Sequence, residues 1–313
     1  MRNPSKLLFV SSLFIVGVVF SNFTATIAQE VEDEREFDYI EGSKKGPSHW
    51  GEIQKDWATC KNGTMQSPID LSSRRVKMIP QLGELEINYK PCNSTVKNRG
   101  HDILLQWEDD AGSIRINGTD YFLEQGHWHS PSEHSINGRR HSFYLLSLFL
   151  FEKSERINYS ACTYFKKRVS RGRYDLELHM VHVTEDPSVK NKIAVIGLFY
   201  KIGQPDAFLS KLMRNIASMA EIKAERNMGV IDPREIKMGC KKYYRYLGSL
   251  TVPPCTEGVI WTISRKIRTV SRGQVKLLRD VVHDYAERNA RPVQSHNNRE
   301  VQFYGPNSRD PKN

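Results

Sequence analysis

Apolar and polar residues alternate along the chain in a series of short β-rich runs, the signature of strands that bury a face. These runs predict strands at Leu85–Tyr89, Ile103–Trp107, Ser113–Ile116, Tyr121–His129, Leu176–Val183, Ile193–Ile202 and Val259–Ile263, many of them separated by Gly or Asn turns. Helical spacing is rarer. Phe208, Leu212, Ile216 and Met219 mark a helix over Ala207–Ala220, and a second is predicted over Ser271–His283. No internal repeat and no long Pro/Ser/Gly linker divides the chain, so the pattern predicts a mainly β (α+β) single domain with short peripheral helices.

Two segments break the pattern. Residues 1–28 carry Arg2 and Lys6, no acid, an apolar stretch from Leu7 to Phe20 and a small-residue end at Thr26-Ile27-Ala28. This is the layout of a secretory signal peptide cleaved near Ala28, and its apolar part is shorter than the roughly 20 residues that span a bilayer. Residues 29–36 would then form an acidic arm containing Glu30, Glu32, Asp33, Glu34 and Glu36. The second segment is 141–173, where an apolar stretch, Phe143–Phe151, leads into a basic one with Lys166, Lys167, Arg168, Arg171 and Arg173. It stands where Asn137-Gly138 would otherwise turn the strand at Tyr121–His129 into the strand at Leu176–Val183.

A net charge of +10 and a pI near 9.3 raise nucleic acid, anionic membrane or acidic polymer as partners. The distribution of that charge removes the suggestion. Arg2 and Lys6 carry two of the ten, and seven basic against two acidic residues within 141–173 carry five, leaving +3 on the remainder. No recognition motif for nucleic acid is present, and no stable membrane anchor is expected. A secretory route makes disulfides and glycosylated sequons expected features. In the chain that would remain after cleavage near Ala28, sequons stand at Asn62, Asn93, Asn117 and Asn158, and there are five cysteines.

The chemistry begins at His127-Trp128-His129. On a strand, residues i and i+2 share a face, so two imidazoles can reach one metal from a rigid platform. A lone His-x-His is also common as a surface or structural feature. The strand Leu176–Val183 strengthens the metal reading, since it places Glu177, His179 and Val181 on one face. If the two strands are neighbours, His179 joins the pair, and three neutral imidazoles suit Zn(II) with a position open for water. Gln125 and Glu177 lie on the ligand faces and can accept the outer imidazole N–H groups. His182 points the other way and is expected to be packed or hydrogen-bonded.

The segment Gln125–Arg140, QGHWHSPSEHSINGRR, followed beyond the odd segment by LELHMVH, resembles the zinc-site region of plant α-class carbonic anhydrases. GPSHWG and QSPIDL near the N-terminus, KNRGHDI at Lys97–Ile103 and YLGSLTVPPCTEGVIW at Tyr246–Trp261 carry the resemblance further. It covers residues 37–304 apart from 141–173, with 305–313 as a tail. The resemblance implies a large twisted, mostly antiparallel central β-sheet and reversible hydration of CO2 to bicarbonate and a proton. The attacking group would be a hydroxide on Zn(II). Site residues follow by position: His127, His129 and His179 as metal ligands, Thr251 oriented by Glu133 beside the nucleophile, and His101 as proton shuttle. Val181, Val195, Leu250, Val259 and Trp261 match the apolar wall beside CO2, with Val252 next to Thr251, and Tyr39 matches a tyrosine of the water network. Cys60 and Cys255 match a disulfide pair, while Cys92, Cys162 and Cys240 have no assigned partner. Sulfonamides and anions are the inhibitors implied.

Three departures from the family pattern stand out. Gly126 replaces a bulkier residue, which predicts looser packing behind the ligand strand. Val252 replaces a polar one. Residues 141–173 are either a lineage-specific loop or a translated intron, and the continuous Gly138-Arg139-Arg140-Tyr174-Asp175-Leu176 left by their excision favours the intron. A storage or interaction protein with this fold and little activity, as among tuber relatives, is the alternative to the enzyme; intact ligands, Thr251, Glu133 and His101 favour the enzyme. The expected compartment is extracellular, with the chloroplast stroma, reached through the secretory route, as the alternative.

Overall fold

The computed structural model describes residues 36–72, 75–138, 173–219, 224–282, 286 and 288–305. The signal segment, most of the acidic arm, Asn158, Cys162, nearly all of 141–173 and the tail beyond 305 lie outside the described residues.

Two short helices, α1 (Trp50–Ile53) and α2 (Thr59–Asn62), precede the strands β1 (Asp70–Leu71), β2 (Val76–Met78), β3 (Glu86–Tyr89), β4 (Cys92–Asn98), β5 (Ile103–Trp107), β6 (Gly112–Ile116), β7 (Thr119–His129) and β8 (Ser135–Ile136). After the gap come β9 (Leu176–Val183), β10 (Ile193–Ile202), the helix α3 (Ala207–Ala217), β11 (Glu225–Ile231), β12 (Tyr243–Ser249), β13 (Glu257–Ser264), β14 (Arg268–Val270), α4 (Arg272–Asp280) and β15 (Val301–Tyr304). Among the described residues, thirteen strands form one mixed sheet whose spine runs β11-β4-β5-β7-β9-β10-β13-β12-β15-β2. Most neighbours are antiparallel; β10 and β13 run parallel, as do β15 and β2.

Local sequence explains the junctions. Asn117 and Gly118, both at positive φ, close the tight hairpin from β6 to β7. Asp206 caps α3 by accepting from Leu209 N at 2.8 Å. Ser271 and Gln274 form a reciprocal capping box at α4. β9 and β10 are buried on both faces, so they read as nearly continuous apolar runs.

The sheet separates two cores. One face packs Val96, Leu105, Trp107, Trp128, Leu178, Met180 and Leu198 under α3 and α4. The other gathers Val181, Val195, Phe199, Leu250, Val259 and Trp261. A third cluster, Phe37, Tyr39, Trp50, Trp57, Cys60, Val252 and Cys255, caps that second face from the N-terminal side.

A Cβ at Gly126 would make ordinary van der Waals contact, 3.4 Å from Leu178 Cδ1 and 3.7 Å from Trp107 Cζ3, so the space behind the ligand strand takes a methyl group and is lined by these two side chains.

Candidate metal centre and active site

The register of β7 and β9 places His127 directly opposite His179, and the two-residue period brings His129 onto the same face. All three side chains are buried. One ligand atom from each lies within 4.8 Å of the others, a spacing able to hold a metal ion.

Each imidazole is held by its outer nitrogen, and that bond sets which nitrogen faces inward. His127 Nδ1–H donates to Gln125 Oε1 at 2.8 Å. His129 Nδ1–H donates to the Asn289 carbonyl at 2.7 Å, and its Nε2 is buried without a hydrogen-bond partner. His179 Nε2–H donates to Glu177 Oε1 at 3.0 Å, which leaves Nδ1 facing the group. Burial pushes His127 and His179 below the ordinary histidine range, favouring the neutral form that ligates metals. A buried imidazole nitrogen with no partner is costly in a dry interior, so the group fits a bound cation.

Glu177 anchors the arrangement. Its Oε1 also accepts from His134 Nδ1 at 2.8 Å, and its Oε2 accepts from the backbone N–H of Glu133 and His134 at 2.7 and 2.9 Å. Burial alone would raise this carboxyl, but the His134 and His179 imidazoles outweigh it and hold it well below the usual range. Behind His134, Ser67 Oγ donates to Tyr246 OH, which donates to His134 Nε2, at 2.8 and 2.7 Å.

Glu133 is wholly buried; its Oε1 accepts from Arg291 N at 2.8 Å, while Oε2 has no hydrogen-bond partner and lies 3.7 Å from His129 Nε2. Thr251, also buried, follows β12 in a loop fastened by Leu250 N to Thr256 O and Cys255 N to Val252 O. Val181, Val195, Leu250, Val259 and Trp261 fall together in the second core, on the sheet face of His179. Val252 does not join them and packs into the N-terminal cluster instead. His101 is 2% exposed, its ring 5.0 Å from that of Phe37 and 6.5 Å from that of Tyr39.

His182 faces the opposite core, where Nδ1–H donates to Ala194 O and Nε2 accepts from Tyr89 OH. Cys60 and Cys255 are joined by a disulfide, and Cys92 and Cys240 are buried thiols. Asn62, Asn93 and Asn117 are exposed.

Two residues carry work that sequence reading missed. Asn289 holds His129 through its carbonyl while its side chain accepts from Ser130 N and donates to His101 O and Trp128 O. Arg291 presents its N–H to Glu133 and buries a guanidinium against Gln66, Ser67 and Cys60. Both lie in an irregular stretch without periodicity, so no pattern marks them.

The family model for eukaryotic-type carbonic anhydrase matches residues 45–161 and 166–305. The chain belongs to this family. Alpha carbonic anhydrase 7 of Arabidopsis thaliana is 47% identical over 303 residues, covering 96% of this chain and 97% of that protein. Among solved structures, dioscorin complexed with ascorbate superposes with a TM-score of 0.73 at 37% identity, over 87% of this chain and 99% of that one. The α-carbonic anhydrase of Thermovibrio ammonificans in complex with the inhibitor sulfanilamide gives 0.67 at 31% identity, over 85% and 98%. Membership makes carbonate dehydratase the activity class.

Proposed function

We propose that the chain hydrates carbon dioxide reversibly to bicarbonate and a proton with Zn(II) held by His127, His129 and His179. The observation that carries this is the convergence of three buried imidazoles, each with its outer nitrogen tied to a fixed acceptor. When bound, zinc supplies Lewis acidity that makes water nucleophilic near neutral pH, an effect for which carbonic anhydrases are themselves the standard illustration.

The protein's own residues do the rest. Val181, Val195, Leu250, Val259 and Trp261 offer CO2 an apolar wall that competes poorly for water. Glu133 Oε2 has no hydrogen-bond partner and is the acceptor this reading assigns to the Thr251 hydroxyl, which would leave the threonine oxygen to accept from the nucleophile and keep a lone pair aimed at carbon. Arg291 N, on Oε1, fixes the Glu133 carboxylate for that task. His101 takes the released proton and passes it to bulk base. The secretory route, with glycan at Asn62, Asn93 and Asn117, belongs to the same proposal, and sulfonamides and small anions are the inhibitors expected.

Purified protein should contain one zinc per chain and show CO2 hydration that a sulfonamide abolishes. Stoichiometric zinc without hydration would replace the enzyme with a storage or interaction protein of the same fold, and absence of zinc would refute the metal centre.

A further inference from the structure

Beside His101 lies a buried ion pair that the chemistry above does not use. Arg99 N donates to Asp102 O at 3.0 Å, closing a tight turn through Gly100 at φ 84°. The side chains pair in parallel across the same turn, Arg99 Nε to Asp102 Oδ1 at 2.8 Å and Nη2 to Oδ2 at 2.6 Å. Both are buried, and Asp102 Oδ2 also lies 3.8 Å from His101 Nε2. The His101 backbone is pinned from the other side, its carbonyl accepting from Asn289 Nδ2 at 3.0 Å and Arg279 Nη1 at 3.2 Å.

A buried ion pair is weak as a device for stability, since apolar residues of similar size often serve as well. Its placement against a buried histidine gives it another use. Desolvation disfavours the imidazolium, and His182, buried with no carboxylate beside it, shows the result: its imidazole is held down to about 4. His101 is buried as deeply but faces the negative end of the Arg99–Asp102 pair. Among the described residues, the Tyr39 ring from the N-terminal segment lies 6.5 Å from its ring and Arg279 from α4 meets its backbone, while Asp102 also acts electrostatically on His127.

We propose that Asp102, clamped by Arg99, is a positioning residue that orients His101 and keeps it able to take and release a proton near neutral pH despite its burial. The inference rests on the reading of His101 as the shuttle. The proton freed when CO2 and water become bicarbonate adds to a neutral imidazole nitrogen, and the imidazolium returns it to a buffer base, so nothing else is consumed. Arg99 keeps the carboxylate from holding that proton too tightly.

The test uses the full chain loaded with zinc and its Asp102→Asn, Arg99→Gln and doubly substituted forms. By NMR titration of the His101 ring, Asp102→Asn should lower the midpoint by roughly one unit or more and Arg99→Gln should raise it. In Asp102→Asn, kcat near neutral pH should fall roughly tenfold with kcat/KM nearly unchanged, and added imidazole should restore it. If a single variant does not fold, the double variant, which strands no charge, should show the lowered midpoint. Unchanged His101 titration, or parallel loss of kcat and kcat/KM without rescue, would overturn the proposal. Failure of the shuttle reading is separable: His101→Ala would then keep its full kcat, whatever the Asp102 variants do to the ring titration.

Discussion

Glu177 takes four hydrogen bonds, from two imidazoles and two backbone N–H groups, with no side-chain surface left to solvent. Glu177→Gln would turn one of these acceptors into a donor facing donors. Zinc affinity should drop about 10–100-fold, measured by competition against a chelator. This role was half legible in the sequence: the shared face with His179 is a consequence of strand period, whereas the backbone donors arrive from a turn 43 and 44 residues away. His182 sets a different constraint. Burial holds its imidazole down to about 4, against 6.5 when unfolded. Between those values the unfolded chain binds the extra proton, so stability is complete above the upper value and falls by about 3 kcal/mol as pH drops through the window. Replacing the pair together, His182→Leu with Tyr89→Phe, leaves neither side chain with an unpaired polar atom, removes the donor to Ala194 O, and should flatten that part of the acid limb in urea titrations at acid and neutral pH.

Among the elements, legibility followed which residues the buried positions held. β7, β9 and β10 bury apolar side chains and were readable from the pattern, as were α3 and α4 to within a few residues. β4 was not. Its burial alternates cleanly, but Ser94 and Asn98 occupy inward positions, so the polar sequence CNSTVKN hides a strand. β12 buries nearly every residue, including Arg245 over the Tyr243 ring, and shows no alternation to find. β2, β14 and β15 are three or four residues long and are defined by partners far along the chain, which no local signal reports. At α4 the local signal is strong and has a measurable value: Ser271→Ala removes the cap accepting from Gln274 N and should cost about 1 kcal/mol in denaturant unfolding with little change in zinc content.

For the whole molecule, the basic charge proved to be distributed by segment, and the described domain is tied by long-range devices. The Cys60–Cys255 disulfide closes a separation of 195 residues and sits in the cluster that holds Val252 next to Thr251. Cys60→Ala with Cys255→Ala should cost up to about 5 kcal/mol in the chain-entropy picture, read from denaturation with and without reductant. The segment 141–173 yields to the same accounting. Its flanks are already joined: Ser135 pairs with Arg173, Ser132 N donates to Tyr174 O, and Tyr174 N donates to Ser132 Oγ. The ligand strands therefore meet in register whatever the intervening residues do. Excision joins Arg140 to Tyr174 and so puts an arginine where Arg173 now donates to Arg291 O; removing 140–172 produces the identical chain. The loop between Ser135 and that arginine shortens from 37 residues to 4, an ordinary length for a hairpin. On loop-closure entropy alone the shorter chain should gain about 2 kcal/mol and bind zinc with unchanged stoichiometry. A loss of stability on excision would show that residues 141–173 make native contacts of their own, and recovery of peptides from 145–165 in the mature protein would exclude a translated intron.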